Sequence, residues 1–261
     1  MLDDLAPQRR RTLLAGSALL VAVALVAAGI GVVRALDRAE PAPQDELGPV
    51  LLVSGYGGRV ASLDPLRDAL RSAGRDVEVL EPDGDGRGDL RAQAAALGRA
   101  ADAALDRSGA DSVDVVGYSA GGVVARLWVR DEGGADVARR VLTIGSPHHG
   151  TDVAALAVEI AGSCPTACEQ LVPDSDLLRG LNASDETPAG PEWVTLRSDA
   201  DRVVVPTDSA ELEGALNLRV QQLCPRAGTT HRALPGDAAV LATVASALGR
   251  GAVRAPTDVS C

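Results

Sequence analysis

The sequence has no Phe and no Lys, and its 261 residues include only two Tyr, two Trp, one Met and four Cys. With so few aromatics the core must be built from Val, Leu, Ala and Ile, and a hydrophobic content of 46% is enough for one sizeable core. With no Lys, all 25 basic residues are Arg, set against 36 acids for a formal charge of −11. Phosphate backbones require clustered positive charge, so nucleic acid is excluded as a partner. The acidic balance itself serves solubility and names no partner. No internal repeat is present.

The N-terminus reads as a targeting segment. Arg9-Arg10-Arg11 precedes an uncharged run from Thr12 to Val33. At about 1.5 Å per residue that run spans roughly 33 Å, enough to cross a bilayer core. Arginines on its N-terminal side leave residues 1–11 cytoplasmic and the remainder exported, with residues 12–33 as a single membrane anchor or uncleaved signal. Secretory apolar regions are shorter, about 7–15 residues, although Val33-Arg34-Ala35 would serve as a cleavage site and release a secreted form. Residues 34–48, with Pro41, Pro43 and mixed charges, read as a linker, so the domain is expected over 49–261. Export agrees with the cysteines. Four cysteines allow three pairings; Cys164–Cys168 and Cys224–Cys261 are favoured, the second tying the C-terminus back. A zinc site is the rival, but the C-x-x-x-C lacks a nearby second ligand pair.

From Pro49 strand and helix patterns alternate. Strands are expected over 50–53, 76–80, 113–116, 141–144, 194–196 and 216–220, with helices over 62–73, 89–105, 121–129 and 237–248, Asp89 being a helix cap. The repeated alternation predicts an α/β fold, a mostly parallel sheet with helices on both faces. Residues 151–192 break the rhythm. They hold Cys164, Cys168 and several prolines, and suggest a cap or insertion over a site.

One pattern carries chemistry. Gly117-Tyr118-Ser119-Ala120-Gly121 is G-x-S-x-G, which lets a serine sit at a sharp strand-to-helix turn without Cβ clashes from its neighbours. With 28 Gly in the chain the bare pattern is a weak signal. Its place between a strand pattern and the helix pattern of Val123, Val124, Leu127 and Trp128 strengthens it. Ser119 is thus the candidate nucleophile, and it needs a base. Of the three histidines, His231 fits a late base; His148 and His149 follow Ser119 by only about one helix and read as pocket floor. Asp201 is the expected acid, orienting His231, with Asp199 and Asp208 as competitors. The backbone N–H groups of Ala120 and of Tyr56, in the loop Ser54-Gly55-Tyr56-Gly57-Gly58, are the expected oxyanion donors. The run Asp83–Asp89 lacks the spacing and terminal Glu of a calcium loop and reads as a surface turn. No metal is expected.

Four stretches together resemble the actinobacterial and bacillary extracellular lipases of the triacylglycerol lipase class. They are residues 53–58, 117–122 and 145–151 (Gly-Ser-Pro-His-His-Gly-Thr), and Asp201 through Pro206 with His231. The segment from Cys164 resembles the disulfide loop of those lipases. The resemblance implies the α/β-hydrolase fold and hydrolysis of acyl lipids or related esters without a metal or organic cofactor, and a monomer is expected. One departure is visible: the family's oxyanion loop commonly begins His-Gly, and Ser54 stands at the His position. A thioesterase or acyltransferase would use the same residues, and a catalytically silent cell-surface binding protein would keep the fold alone.

Overall fold

The computed structural model describes residues 41–256, 259 and 261. The expected anchor at 12–33 lies outside them; among the described residues no helix is long and apolar enough to cross a membrane. Six strands form one sheet: β1 (Val50–Val53), β2 (Val77–Leu80), β3 (Val113–Tyr118), β4 (Ala138–Ile144), β5 (Glu192–Arg197) and β6 (Leu216–Arg219). Their order is β2-β1-β3-β4-β5-β6, and every pairing among them is parallel. The helices are α1 (Asp64–Ser72), α2 (Leu90–Ser108), α3 (Ala120–Asp131), α4 (Gly134–Val137), α5 (Asp152–Ala161), α6 (Thr166–Gln170), α7 (Asp176–Asn182), α8 (Val220–Leu223) and α9 (Ala238–Ala247). This is the α/β-hydrolase fold, with its parallel sheet flanked by helices.

Alternation along each strand builds two cores. Leu51, Val53, Val113, Val115 and Val141 bury toward Leu97 of α2 and Val124, Leu127 and Trp128 of α3. The intervening Val50, Leu52, Val116, Leu142 and Ile144 bury toward Leu66 and Leu70 of α1 and Val240 and Val244 of α9. Each such side chain contributes about 1.5–3 kcal/mol on removal from water, so aliphatics suffice where aromatics are scarce. Local signals set the helix ends. Asp89 caps α2 by accepting from Arg91 N, and Gly109, at φ 68°, closes it.

The sequence placed the fourth strand at 141–144, and β4 begins three residues earlier. Arg139 and Arg140 therefore lie inside a strand, both buried. A bulge opposite Val113 and Asp114 accommodates them. Their charge faces Asp114 and a set of carbonyl oxygens, an environment that periodicity does not reveal.

Residues 151–192 fold as α5, α6 and α7 before β5 begins. Thr151 and Ser175 cap α5 and α7 with their hydroxyls. Ala167, Leu171, Leu177, Leu178 and Leu181 join the α3-side core. The segment expected as a cap joins the wall of the cleft at Ser119 through Val203, whose O accepts from Thr151 Oγ1 at 2.6 Å, and among the described residues none of 152–191 lines that cleft directly. Both favoured disulfides are formed, Cys164–Cys168 and Cys224–Cys261, with Cα separations of 5.8 and 5.6 Å. The end of the expected linker is bonded into the domain, since Gln44 accepts from both Arg139 and Arg140.

Candidate active site

β3 ends at Tyr118 and α3 starts at Ala120, leaving Ser119 alone at the turn with φ 55° and ψ −126°. A side chain there costs on the order of 1–3 kcal/mol. The surrounding contacts hold it: Ser119 N donates to Ile144 O at 2.8 Å. Gly117 and Gly121 are required by space. A Cβ on Gly117 would lie 2.5 Å from Gly121 O, and one on Gly121 would lie 2.3 Å from Val53 O.

His231 begins a 3-10 turn, His231–Gly236, after β6 and α8. Its Nε2 is 3.0 Å from Ser119 Oγ and its Nδ1 is 2.6 Å from Asp201 Oδ2. An ionised carboxylate only accepts, so Nδ1 carries the proton and donates to Asp201. Nε2 is then left to accept from the Ser119 hydroxyl. Asp201, 2% exposed, is fixed from its other oxygen, which accepts from Val203 N at 2.7 Å and Val204 N at 3.0 Å. Gly145 makes room for the pair: at φ 54°, a Cβ would sit 3.3 Å from both Asp201 Oδ2 and His231 Nδ1 and 2.7 Å from Leu234.

The competing residues lie elsewhere. Asp199 pairs with Arg197 at 2.7 Å and Arg219 at 3.3 Å. Asp208 and His149 line a separate cleft, and His149 Nε2 is 2.7 Å from Glu186. His148 is fully buried, with Nε2 3.0 Å from Thr143 Oγ1. Burial pushes its pKa well below 6.5, and the nearby Arg126 and His149 push the same way.

Ser119 and His231 open into a cleft of about 310 Å³ whose walls include Gly55, Tyr56, Tyr118 and Val203. The loop carrying Tyr56 approaches closely, since a Cβ on Gly55 would lie 2.8 Å from Ser119 Cβ. That loop is braced from the surface turn Asp83–Asp89: Gly57 N donates to Gly86 O at 3.2 Å. Ala120 is the first residue of α3, where a backbone N–H has no partner within the helix. Among the described residues no group of His, Cys, Asp and Glu is placed to hold a metal ion.

Sequence reasoning missed Tyr118. Its hydroxyl donates to His231 O at 3.0 Å and its ring lies 5.1 Å from the imidazole, tilted by 31°. Burial first, then Asp201, pushes its pKa up to about 12, so it stays a donor through neutral pH. The pattern G-Y-S-A-G held the residue but not the direction of its side chain. Arg59, Ser62 and Arg232, also in the cleft wall, carried no sequence signal.

The profile of lipase class 2 matches residues 103–240, more than half of the chain. The chain belongs to the class 2 lipase family. No curated protein matches it. Among solved structures, this class 2 lipase is similar to Aspergillus fumigatus lipase B, with 22% identity and a TM-score of 0.68 over 79% of this chain and 54% of that one. It thus spans about half the length of that relative. It is also similar to the mature form of Bacillus licheniformis lipase BlEst2, with 18% identity and a TM-score of 0.61 over 77% of this chain and 91% of that one. At these identities the likeness concerns the fold.

Proposed function

We propose that this class 2 lipase hydrolyses carboxylic esters, acyl lipids or related acyl esters, through Ser119, His231 and Asp201 and a covalent acyl-enzyme. The observation that carries the reading is the pair of hydrogen bonds at His231, 3.0 Å to Ser119 and 2.6 Å to Asp201, on one buried imidazole. His231 Nε2 takes the Ser119 proton as Oγ attacks the ester carbonyl. Asp201 holds the tautomer and stabilises the imidazolium. The backbone N–H groups of Tyr56 and Ala120 receive the oxyanion, a contribution on the order of 100- to 1,000-fold per donor. Protonated Nε2 then gives its proton to the departing alcohol. A water molecule, deprotonated by the same nitrogen, releases the acid and restores Ser119. Ser54, at the start of the oxyanion loop, leaves these backbone donors in place, and the brace from Gly86 supports the loop.

The two disulfides suit an oxidising compartment, so the enzyme works outside the cytoplasm, held at the membrane by residues 12–33 or freed by cleavage near Ala35. The test is hydrolysis of soluble 4-nitrophenyl acyl esters by the full-length protein and by Ser119→Ala. Loss of about 10⁴-fold or more in kcat is expected. A variant within tenfold of the wild type would contradict the assignment and point to a hydrolase-fold binding protein.

A further inference from the structure

The charged residues in the wall of the Ser119 cleft are unusual for this chain. The protein carries 36 acids against 25 arginines, yet the charged side chains reaching the cleft beside His231 are Arg59 and Arg232, and among the described residues no Asp or Glu lines it. The two arginines come from different segments that flank the serine. Arg59 follows the oxyanion loop directly and precedes the 3-10 turn Val60–Leu63. Arg232 follows His231 in sequence and lines the same cleft as Tyr118. Both are exposed. Neither has an ion-pair partner among the described residues, a state they share with other arginines such as Arg91 and Arg202, but these two line the cleft. The Arg87 guanidinium lies 5.6 Å from the centre of the ring of Tyr56, a residue of the cleft wall.

We infer that the ester taken by this site carries an anionic group, a phosphate or a carboxylate, near the scissile carbonyl, and that Arg59 and Arg232 bind it. The inference rests on the serine-hydrolase reading and narrows its substrate class. A neutral acylglycerol offers nothing for two unpaired guanidinium groups. An oxyanion on the substrate takes their N–H donors in forked hydrogen bonds, which are among the stronger polar contacts available. The long-range field acts in the same sense. An anion is repelled by a surface of net charge −11 and finds attraction where the wall is cationic, so the cleft raises its local concentration.

The test compares matched esters on the full-length protein: 1-butyrylglycerol 3-phosphate against 1-butyrylglycerol, and O-butyryl-lactate against its methyl ester. The expected result is a kcat/KM at least about tenfold higher for the anion in one pair or both, the pair that responds telling phosphate from carboxylate. The anion-to-neutral ratio should fall about tenfold in Arg59→Gln and in Arg232→Gln, recover in Arg59→Lys, and stay put in Arg99→Gln, an exposed arginine of α2 outside the cleft. It should also shrink between 0.15 and 1 M salt, as the screening length drops from about 8 to about 3 Å. Hydrolysis of the neutral esters with a ratio near one, or a ratio unmoved by both Gln variants, overturns the inference and leaves the serine-hydrolase reading standing. No turnover of any ester by a folded protein, with Ser119 unreactive, overturns both.

Discussion

The two ends of β3 carry charge in opposite ways. At the amino end Asp114, fully buried, accepts from Arg75 at 2.6 Å and from Arg139 at 3.0 and 2.5 Å. The same arginines, with Arg140, also donate to carbonyls at the end of α9 and beyond, Ala247, Leu248, Gly249 and Gly251. Cations at the C-terminus of a helix are favoured there by its dipole. Every strong group in this cluster is spent on another part of the fold. At the carboxyl end, one residue past the strand, His231 ends in a hydrogen bond to a serine hydroxyl that faces an open cleft. The backbone there is strained at Ser119, while His231 is hydrogen-bonded to Asp201 through its ring and to Tyr118 through its carbonyl. The first network closes within the fold and reads as a clasp; the second ends on a serine hydroxyl that faces a cleft.

This contrast predicts that substitutions at the two ends separate rate from stability. The largest effect is expected for Asp201→Asn. An amide would present a donor to His231, favour the wrong tautomer and lower kcat by about 10⁴-fold, while the urea midpoint moves little. A stability loss that accounts for the rate loss would break the contrast. Next is Asp114→Ala, which leaves buried arginine charge without its anion. A loss of about 3–5 kcal/mol is expected, with the rate per active site within about twofold of wild type, measured by urea unfolding and active-site-titrated assays. An Asp114 variant of normal stability would show that the clasp is ornamental.

A smaller effect concerns His148, which lies near the carboxyl end of β4 with its Nε2 beside Thr143. Burial holds its pKa well below 6.5 in the folded protein, so the unfolded chain binds the extra proton first as pH falls. Its contribution to stability is complete above about pH 6.5 and is lost below it, at up to about 1.4 kcal/mol per pH unit. Urea unfolding between pH 7 and pH 5.5 should show a steeper decline in wild type than in His148→Gln. Equal slopes would mean that His148 accepts a proton in place.

Much of the carboxyl end was legible in the sequence because its demands are local. A serine at positive φ between a strand and a helix needs glycines at fixed offsets, and Gly117 and Gly121 supply them. A base late in the chain left His231 as the choice among three histidines, and Asp201 followed from its position after a strand. The amino end was illegible for a physical reason. Arg139-Arg140 reads as the solvated border of a strand, and only tertiary pairing with Asp114 and with the end of α9 makes two adjacent buried arginines stable. The site's support was hidden in the same way. Tyr118 lies inside the motif, but its contact with His231 spans 113 residues, and Arg59 and Arg232 are identified by the cleft they share. Lost alternation over 151–192 marked an insertion, and its three short helices were not legible from periodicity.

The central claim is that His231 and Asp201 make Ser119 a nucleophile, and a fluorophosphonate probe tests it most directly. The full-length wild type should gain one adduct, mapped by peptide mass to the Ser119 segment, and Ser119→Ala and His231→Ala should gain none at the same probe concentration. A folded wild type that stays unlabelled, or labelling that persists in His231→Ala at the wild-type rate, would contradict the account.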